Sequence, residues 1–366
     1  MLDPVREQPV LELNAGSVDT WAGTKQPQQN ATHTSADDSA STPHRKGKGG
    51  VVRILAFFVF LAVTAILLNL LVDHGLRRIR TSKFGSMNRI MSGEVNADIV
   101  INGSSRALDH YDPRIIESVT GHTGYNLGMN ASQTDLQLAV LKAYLAHNAK
   151  PRVVIQNLDP FTFVTTRRGD IYDPGYYVPY LWDNDLCEGL RVIDPVVLKW
   201  KYIPLYGYSV EDMRFTWLTG LLGAVGVNPK EDYFQGFDPQ YRPWTADFDR
   251  FKKEQTDGFT PPIEAAAVGD LEAIAQLCRD RGIQLIFVYS PEFAEVQELE
   301  RNRGEIFTKF REIAAKYQVP FWDYSNAPIC KEQKYFYNSQ HLNADGAAVF
   351  SADLAQKLRD SHVGGI

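Results

Sequence analysis

The chain has 366 residues, 44% of them hydrophobic and 11% aromatic, and carries a net charge of −6. That balance leaves ample material for one full-cored domain and argues against nucleic acid as a partner. Three cysteines, Cys187, Cys278 and Cys330, stand far apart, form no metal-ligand spacing and leave one thiol free in any pairing. Nothing in the sequence calls for a metal or a cofactor.

Residues 1–50 are rich in Gln, Thr, Ser, Asp and Pro without a sustained apolar period, the composition of a disordered tail. Residues 51–73 follow as a nearly continuous apolar run with no charge from Ile54 to Val72. Roughly twenty such residues cross a bilayer as a helix. No Ala-x-Ala site follows, and the run begins far from Met1, so an uncleaved single-pass anchor is expected rather than a signal peptide. Arg45, Lys46, Lys48 and Arg53 before it are matched by Arg77, Arg78, Arg80 and Lys83 after it, so charge does not orient the helix. Residues 74–96 read as a linker containing a helix at 83–92.

Beyond 97 the pattern alternates. Strands are expected at 98–102, 124–127, 152–158, 284–289 and 320–323, with helices at 113–119, 134–147, 263–281, 299–317 and 343–359. Strands interleaved with helices of this length predict a three-layer α/β domain over 97–360, built on a parallel sheet. Between 161 and 260 the alternation breaks into an insertion crowded with rings, among them Tyr172, Tyr176, Tyr177, Tyr180, Trp182, Trp200, Tyr202, Tyr206, Tyr208, Trp217 and Tyr241. An insertion leaving a strand end on the functional side builds a lid or one wall of a cleft; about two-thirds of its rings are expected to form its own small core. Within it, residues 215–227 (FTWLTGLLGAVGV) are too short to span a membrane; they either lie on a bilayer surface or pack inward.

Two short stretches carry candidate chemistry. Ile99-Val100-Ile101 runs into Gly103, Ser104 and Ser105, which puts a hydroxyl at the C-terminal end of the first strand, where such sheets bind ligands. The same serines also suit the cap of a following helix. Near the other end, Asn338-Ser-Gln-His341 precedes the last helix and supplies a base for Ser105 as nucleophile.

On these residues the chain resembles the SGNH/GDSL hydrolase superfamily. Gly103-Ser104-Ser105 matches the family's nucleophile block, Asn126-Leu127-Gly128 its second block, and His341 its base. The resemblance implies a flavodoxin-like α/β/α fold and oxyanion donors at the backbone of Ser105 and Gly128. The Gly-x-Asn-Asp block is absent, and Asn157 at the end of the third strand is the candidate for its oxyanion role. Where the family has Asp-x-x-His, this chain has Asn338; either Asn338 or Asp323 is expected to orient His341, while Asp345 reads as a helix-start residue. The nearest branch comprises anchored proteins such as D-alanyl-lipoteichoic acid biosynthesis proteins and exopolysaccharide O-acetyltransferases. That likeness implies a serine O-acyltransferase or esterase acting on an exported cell-envelope polysaccharide. It further implies a domain on the extracytoplasmic, periplasmic side of the cytoplasmic membrane and a membrane-bound O-acyltransferase as partner. The competing expectation is a catalytically degenerate binding or assembly subunit of an exopolysaccharide machine.

Overall fold

The computed structural model describes residues 48–166, 171–209, 215–230 and 233–366, so the tail expected at 1–50 lies almost wholly outside the described residues. The chain divides at Arg53, and Ile54–Ile366 is one compact unit. Its elements follow in order: α1 (Lys48–Arg78), α2 (Ser82–Met91), β1 (Ile99–Asn102), α3 (Ser105–His110), α4 (Pro113–Thr120), β2 (Gly124–Asn126), α5 (Thr134–His147) and β3 (Val153–Leu158). The insertion contributes α6 (Asn184–Ile193), α7 (Val197–Tyr202), α8 (Thr216–Ala224) and α9 (Asp247–Glu254). Then come α10 (Ala265–Asp280), β4 (Gln284–Tyr289), α11 (Ala294–Leu299), α12 (Arg303–Tyr317), β5 (Phe321–Asp323) and α13 (Ala344–Ser361).

All five strands are parallel, in the order β2-β1-β3-β4-β5, with Ile101 beside Ile155 and Ile155 beside Ile286. Strands buried on both faces need side chains that pack on both, which is why IVIN, VVIQNL and QLIFVY are rich in β-branched and aromatic residues. Alternation divides them: Val100, Val154 and Phe287 face a core built with α2, α5, α10 and α12, whereas Ile101, Ile155 and Ile286 face one built with α4 and α13. This is the expected three-layer α/β/α domain. β1 has β2 on one side and β3 on the other, so the chain reverses its winding there. The crevice above the C-terminal ends of β1 and β3 is therefore the switch point, where ligands of such sheets bind.

Two features depart from the sequence reading. Residues 74–96 are not a linker: α1 continues to Arg78, its residues Val72 and Leu76 and the following Ile79 are buried in the core, and α2 packs into that core as well. Asn88 of α2 donates to the carbonyls of Leu76 (2.7 Å) and Ile79 (2.8 Å), satisfying groups that the end of a helix leaves without partners. Nor does the insertion build a core of its own. Of the rings named for the insertion, Tyr176, Tyr177, Trp200 and Tyr208 are buried, and they join the core shared with α2 and α5.

Candidate active site

The turn after β1 is tight for a reason. A Cβ on Gly103 would stand 2.8 Å from the Cβ atoms of both Ala107 and Asn157, so only glycine lets β1 turn this close to β3 and α3. Ser104 then caps α3: its hydroxyl accepts from the Arg106 N–H at 3.3 Å and donates to Asp159 Oδ2 at 2.7 Å. With Ser104 taking the cap, Ser105 is left as the first helical residue, half-buried, its side chain directed elsewhere.

That direction is toward His341. Ser105 Oγ lies 2.7 Å from His341 Nε2, bringing together residues from the first and last loops of the sheet. Across the ring, His341 Nδ1 lies 2.9 Å from Asn338 Oδ1. The same oxygen accepts the backbone N–H groups of Gln340 (3.0 Å) and His341 (2.9 Å). Those two donors identify the oxygen end of the amide, which in turn requires the proton on Nδ1 and leaves the Nε2 lone pair facing the serine hydroxyl. Asp323 does not take this position. It is exposed at the end of β5, where its carboxylate accepts the Ser325 N–H at 2.9 Å, because β5 is the sheet's far edge from β1. Asp345 lies in the first turn of α13, which Asn343 caps.

The expected oxyanion donors fare differently. The Ser105 N–H has no acceptor among the described residues. Gly128 packs on the backbone of α3, but its N–H donates to Asn126 Oδ1 at 2.8 Å and is not free. Asn157 has its Oδ1 held by the Tyr111 hydroxyl at 2.8 Å, while its buried Nδ2 has no acceptor among the described residues. Its side chain borders Gly103, so a fixed, unpaired N–H donor stands beneath the nucleophile's turn.

Several residues at the site were not picked out by the sequence reading. Arg106, next to Ser105, is buried; it pairs with Glu292 at 3.3 Å and lies over the Tyr289 ring. Glu292 also pairs with Arg303 at 2.7 Å, and Arg303 with Glu300 at 2.7 Å. Burial holds Glu300 up at about 7. His110 donates from Nδ1 to Ser290 Oγ (3.0 Å) and accepts the Leu342 N–H on Nε2 (3.0 Å), tying α3 to the loop of His341. Tyr337 stacks on His341 at 5.4 Å and donates to Asp109 Oδ2 at 2.7 Å, and the Arg242 guanidinium lies over the Tyr337 ring at 4.1 Å. Arg242 comes from the end of the insertion, where Thr245 donates its N–H to the Tyr337 carbonyl and Gln240 accepts that of Ala344. A signal existed only for Arg106, a charge set directly after the serine in an otherwise buried turn.

The electrostatics are one-sided. Burial first, and then the guanidinium groups of Arg106 and Arg242, push His341 down to about 3. Among the described residues no carboxylate is bonded to the ring. His341 is therefore neutral near pH 7 and able to accept a proton, but the imidazolium so formed is disfavoured. Burial and the charge of Asp238 raise Asp109 well above the ordinary carboxylate range.

No protein-family model and no curated protein matches the sequence. The chain is similar to a number of solved structures, three of which follow. One, from Bacteroides fragilis and described as an acylhydrolase, is 12% identical, with 72% of this chain and 87% of that one covered and a TM-score of 0.34. Another, from Streptococcus pneumonia and described as a platelet activating factor, is 15% identical over 86% of this chain and 99% of that one, with a TM-score of 0.37. A GDSL-like lipase from Bacteroides thetaiotaomicron is 12% identical over 72% and 88% of the two chains, with a TM-score of 0.32. Likenesses this remote lend no argument about activity, which has to come from the residues at the switch point.

Proposed function

We propose that this chain is a serine-dependent O-acyltransferase or esterase, anchored in a membrane by α1. The observation that supports it best is the 2.7 Å contact between Ser105 Oγ and a His341 whose other nitrogen is held by Asn338. Ser105 Oγ attacks the carbonyl carbon of an acyl donor while its proton passes to His341 Nε2. The negative charge that develops on the carbonyl oxygen is met by the Ser105 N–H and Asn157 Nδ2. Collapse breaks the bond to the donor's leaving group, which takes the proton from His341, and leaves an acyl ester on Ser105. In the second half His341 removes a proton from an acceptor hydroxyl, whose oxygen attacks the ester; collapse breaks the bond from the acyl carbon to Ser105 Oγ, which takes that proton back from His341. A sugar hydroxyl as acceptor makes a transferase, and water makes an esterase. We assign the acceptor to an exported cell-envelope polysaccharide, the domain to the extracytoplasmic side, and the acyl supply to a membrane-bound O-acyltransferase.

The test is an active-site probe. A fluorophosphonate should form one covalent adduct, located at Ser105 by peptide mass spectrometry and lost in Ser105→Ala. A second reading, a binding subunit without turnover, draws on the neutral Asn338 and the depressed basicity of His341. It predicts no adduct, with polymer binding unchanged in Ser105→Ala.

A further inference from the structure

α1 changes character abruptly along its length. From Ile54 to Leu71 its apolar side chains are largely exposed, and at Val72 exposure falls to 0%. Those eighteen residues span about 27 Å at ~1.5 Å per residue, close to the ~30 Å of a bilayer's hydrocarbon. What surrounds the helix where exposure ends is not ordinary protein surface.

On one side α8 crosses it backbone to backbone. A Cβ on Gly75 would overlap the Gly220 carbonyl, and one on Gly220 would stand 2.7 Å from that of Val72, so glycines on both helices are what allow the crossing. The outer side of α8 and its flanks exposes Phe215, Trp217, Leu218, Leu222, Val225 and Val227, and no charged residue occurs from 215 to 227. On another side, Asn69 Oδ1 accepts the Leu205 N–H at 2.8 Å, and the Tyr208 hydroxyl donates to Asp73. The segment these bonds hold exposes Tyr202 (63%) and Ile203, and Trp182 (64%) meets Tyr202 edge-on at 5.8 Å. Lys201 lies over both rings.

From this arrangement we infer that α8 and the 202–206 segment form a collar seated in the interfacial layer of the same bilayer that α1 crosses. The occupant is lipid, because the exposed apolar residues of the collar stand against α1 at residues 69–75, where the helix's own exposed apolar stretch ends. Aromatic rings with a lysine among them are also the side chains that favour the headgroup boundary. The inference rests on α1 being a membrane anchor, and its test separates the two.

The native cysteines Cys187, Cys278 and Cys330 are buried, so introduced surface cysteines can be labelled selectively. Nitroxides are placed one at a time through Leu61→Cys on α1, Leu222→Cys and Val225→Cys on the collar, and Glu298→Cys as an aqueous control. The full-length protein is reconstituted in phosphatidylethanolamine–phosphatidylglycerol vesicles. Power-saturation measurements then compare collisions with oxygen, which concentrates in lipid, against a water-soluble nickel chelate. Positions 61, 222 and 225 should all favour oxygen, with 222 and 225 shallower than 61, and 298 should favour nickel. Oxygen at 61 with nickel at 222 and 225 overturns the collar and leaves the anchor standing. Protection of 222 and 225 from both reagents also overturns it, in favour of a protein occupant. Nickel at all four positions overturns the anchor itself.

Discussion

The turn that carries Ser105 and the loop that carries His341 meet across 2.7 Å, yet they are held by different kinds of force. Around the serine the support is ionic and buried: Asp159 on Ser104, and Arg106 on Glu292, with Arg303 and Glu300 behind. Around the histidine the groups that touch the ring are neutral: the Asn338 amide and Tyr337, which is bonded to a raised Asp109 that favours its protonated form; the Arg242 guanidinium lies over Tyr337. The comparison teaches where rigidity and where charge have been placed. The nucleophile's backbone is locked by groups that are costly to separate, while the base is oriented without being made more basic. The site can hold Ser105 and His341 in register and still disfavour the ion pair that proton transfer creates.

The comparison breaks most completely if the contact itself has no chemistry. Ser105→Ala and His341→Ala should each lower acyl turnover by on the order of 10⁶-fold, and the double variant should be no worse than either single. Additive losses in steady-state assays would mean that the two residues do not act as a unit. Next in size is the ionic side. Arg106→Met leaves a buried Glu292 with one partner fewer and Asp159 without the nearby charge that lowers it, at a cost of about 3–5 kcal/mol. Urea unfolding of the detergent-solubilised chain reads that loss; an unchanged midpoint would show that the network does not hold the turn.

Sharper is the exchange at the neutral side. Asn338→Asp keeps the acceptor for three N–H donors and adds a charge where imidazolium forms. Turnover at pH 7–8 should rise about tenfold to a hundredfold, a fraction of the ~10⁴ by which the reverse change lowers it in a serine protease. The pH profile separates this from simple repacking. With His341 depressed to about 3, the native chain should show no acid limb from this group between pH 5 and 8. The variant should acquire one, because its histidine is raised. The smallest effect concerns Asp109. Its folded pKa is raised, so the folded state keeps a proton that the unfolded chain releases above about pH 4, and stability falls as pH climbs from there toward the raised value. Asp109→Asn still accepts from Tyr337 and has no charge to bury. It should gain on the order of 1 kcal/mol at pH 7 and nothing at pH 3; a gain independent of pH would refute the protonation argument.

How much of this was legible beforehand follows from the range of each interaction. The parallel sheet was readable because each strand is a local apolar run, and the Ser105–His341 pairing because both lie in short recognisable blocks. Asn338 and Asp323 could not be ranked from sequence, since the choice depends on which strand lies at the sheet's edge. Gly128 was expected to offer its N–H; that Asn126 takes it is a matter of one amide's direction, which no pattern records. The Arg106–Glu292–Arg303 network joins residues almost two hundred positions apart, and each charge alone reads as surface. The continuation of α1 past the apolar run was equally hidden, because its buried stretch contains Asp73, Arg77 and Arg78.

That continuation makes α1 a stiff shaft. From Ile54 to Arg78 it is one helix without a break, clasped at its end by Asn88, and Val72 and Leu76 of its last turns are buried in the core on one face of the sheet. A domain on a supple tether explores a hemisphere; this one has its height and its heading set by the shaft. With α1 crossing a bilayer as proposed above, tilt or rotation of the shaft carries Ser105 with it, and a donor has to arrive at one fixed distance from that bilayer. Two glycines inserted after Ile79 should uncouple the two, leaving the chemistry of a soluble ester intact while slowing acyl transfer from a membrane-held donor.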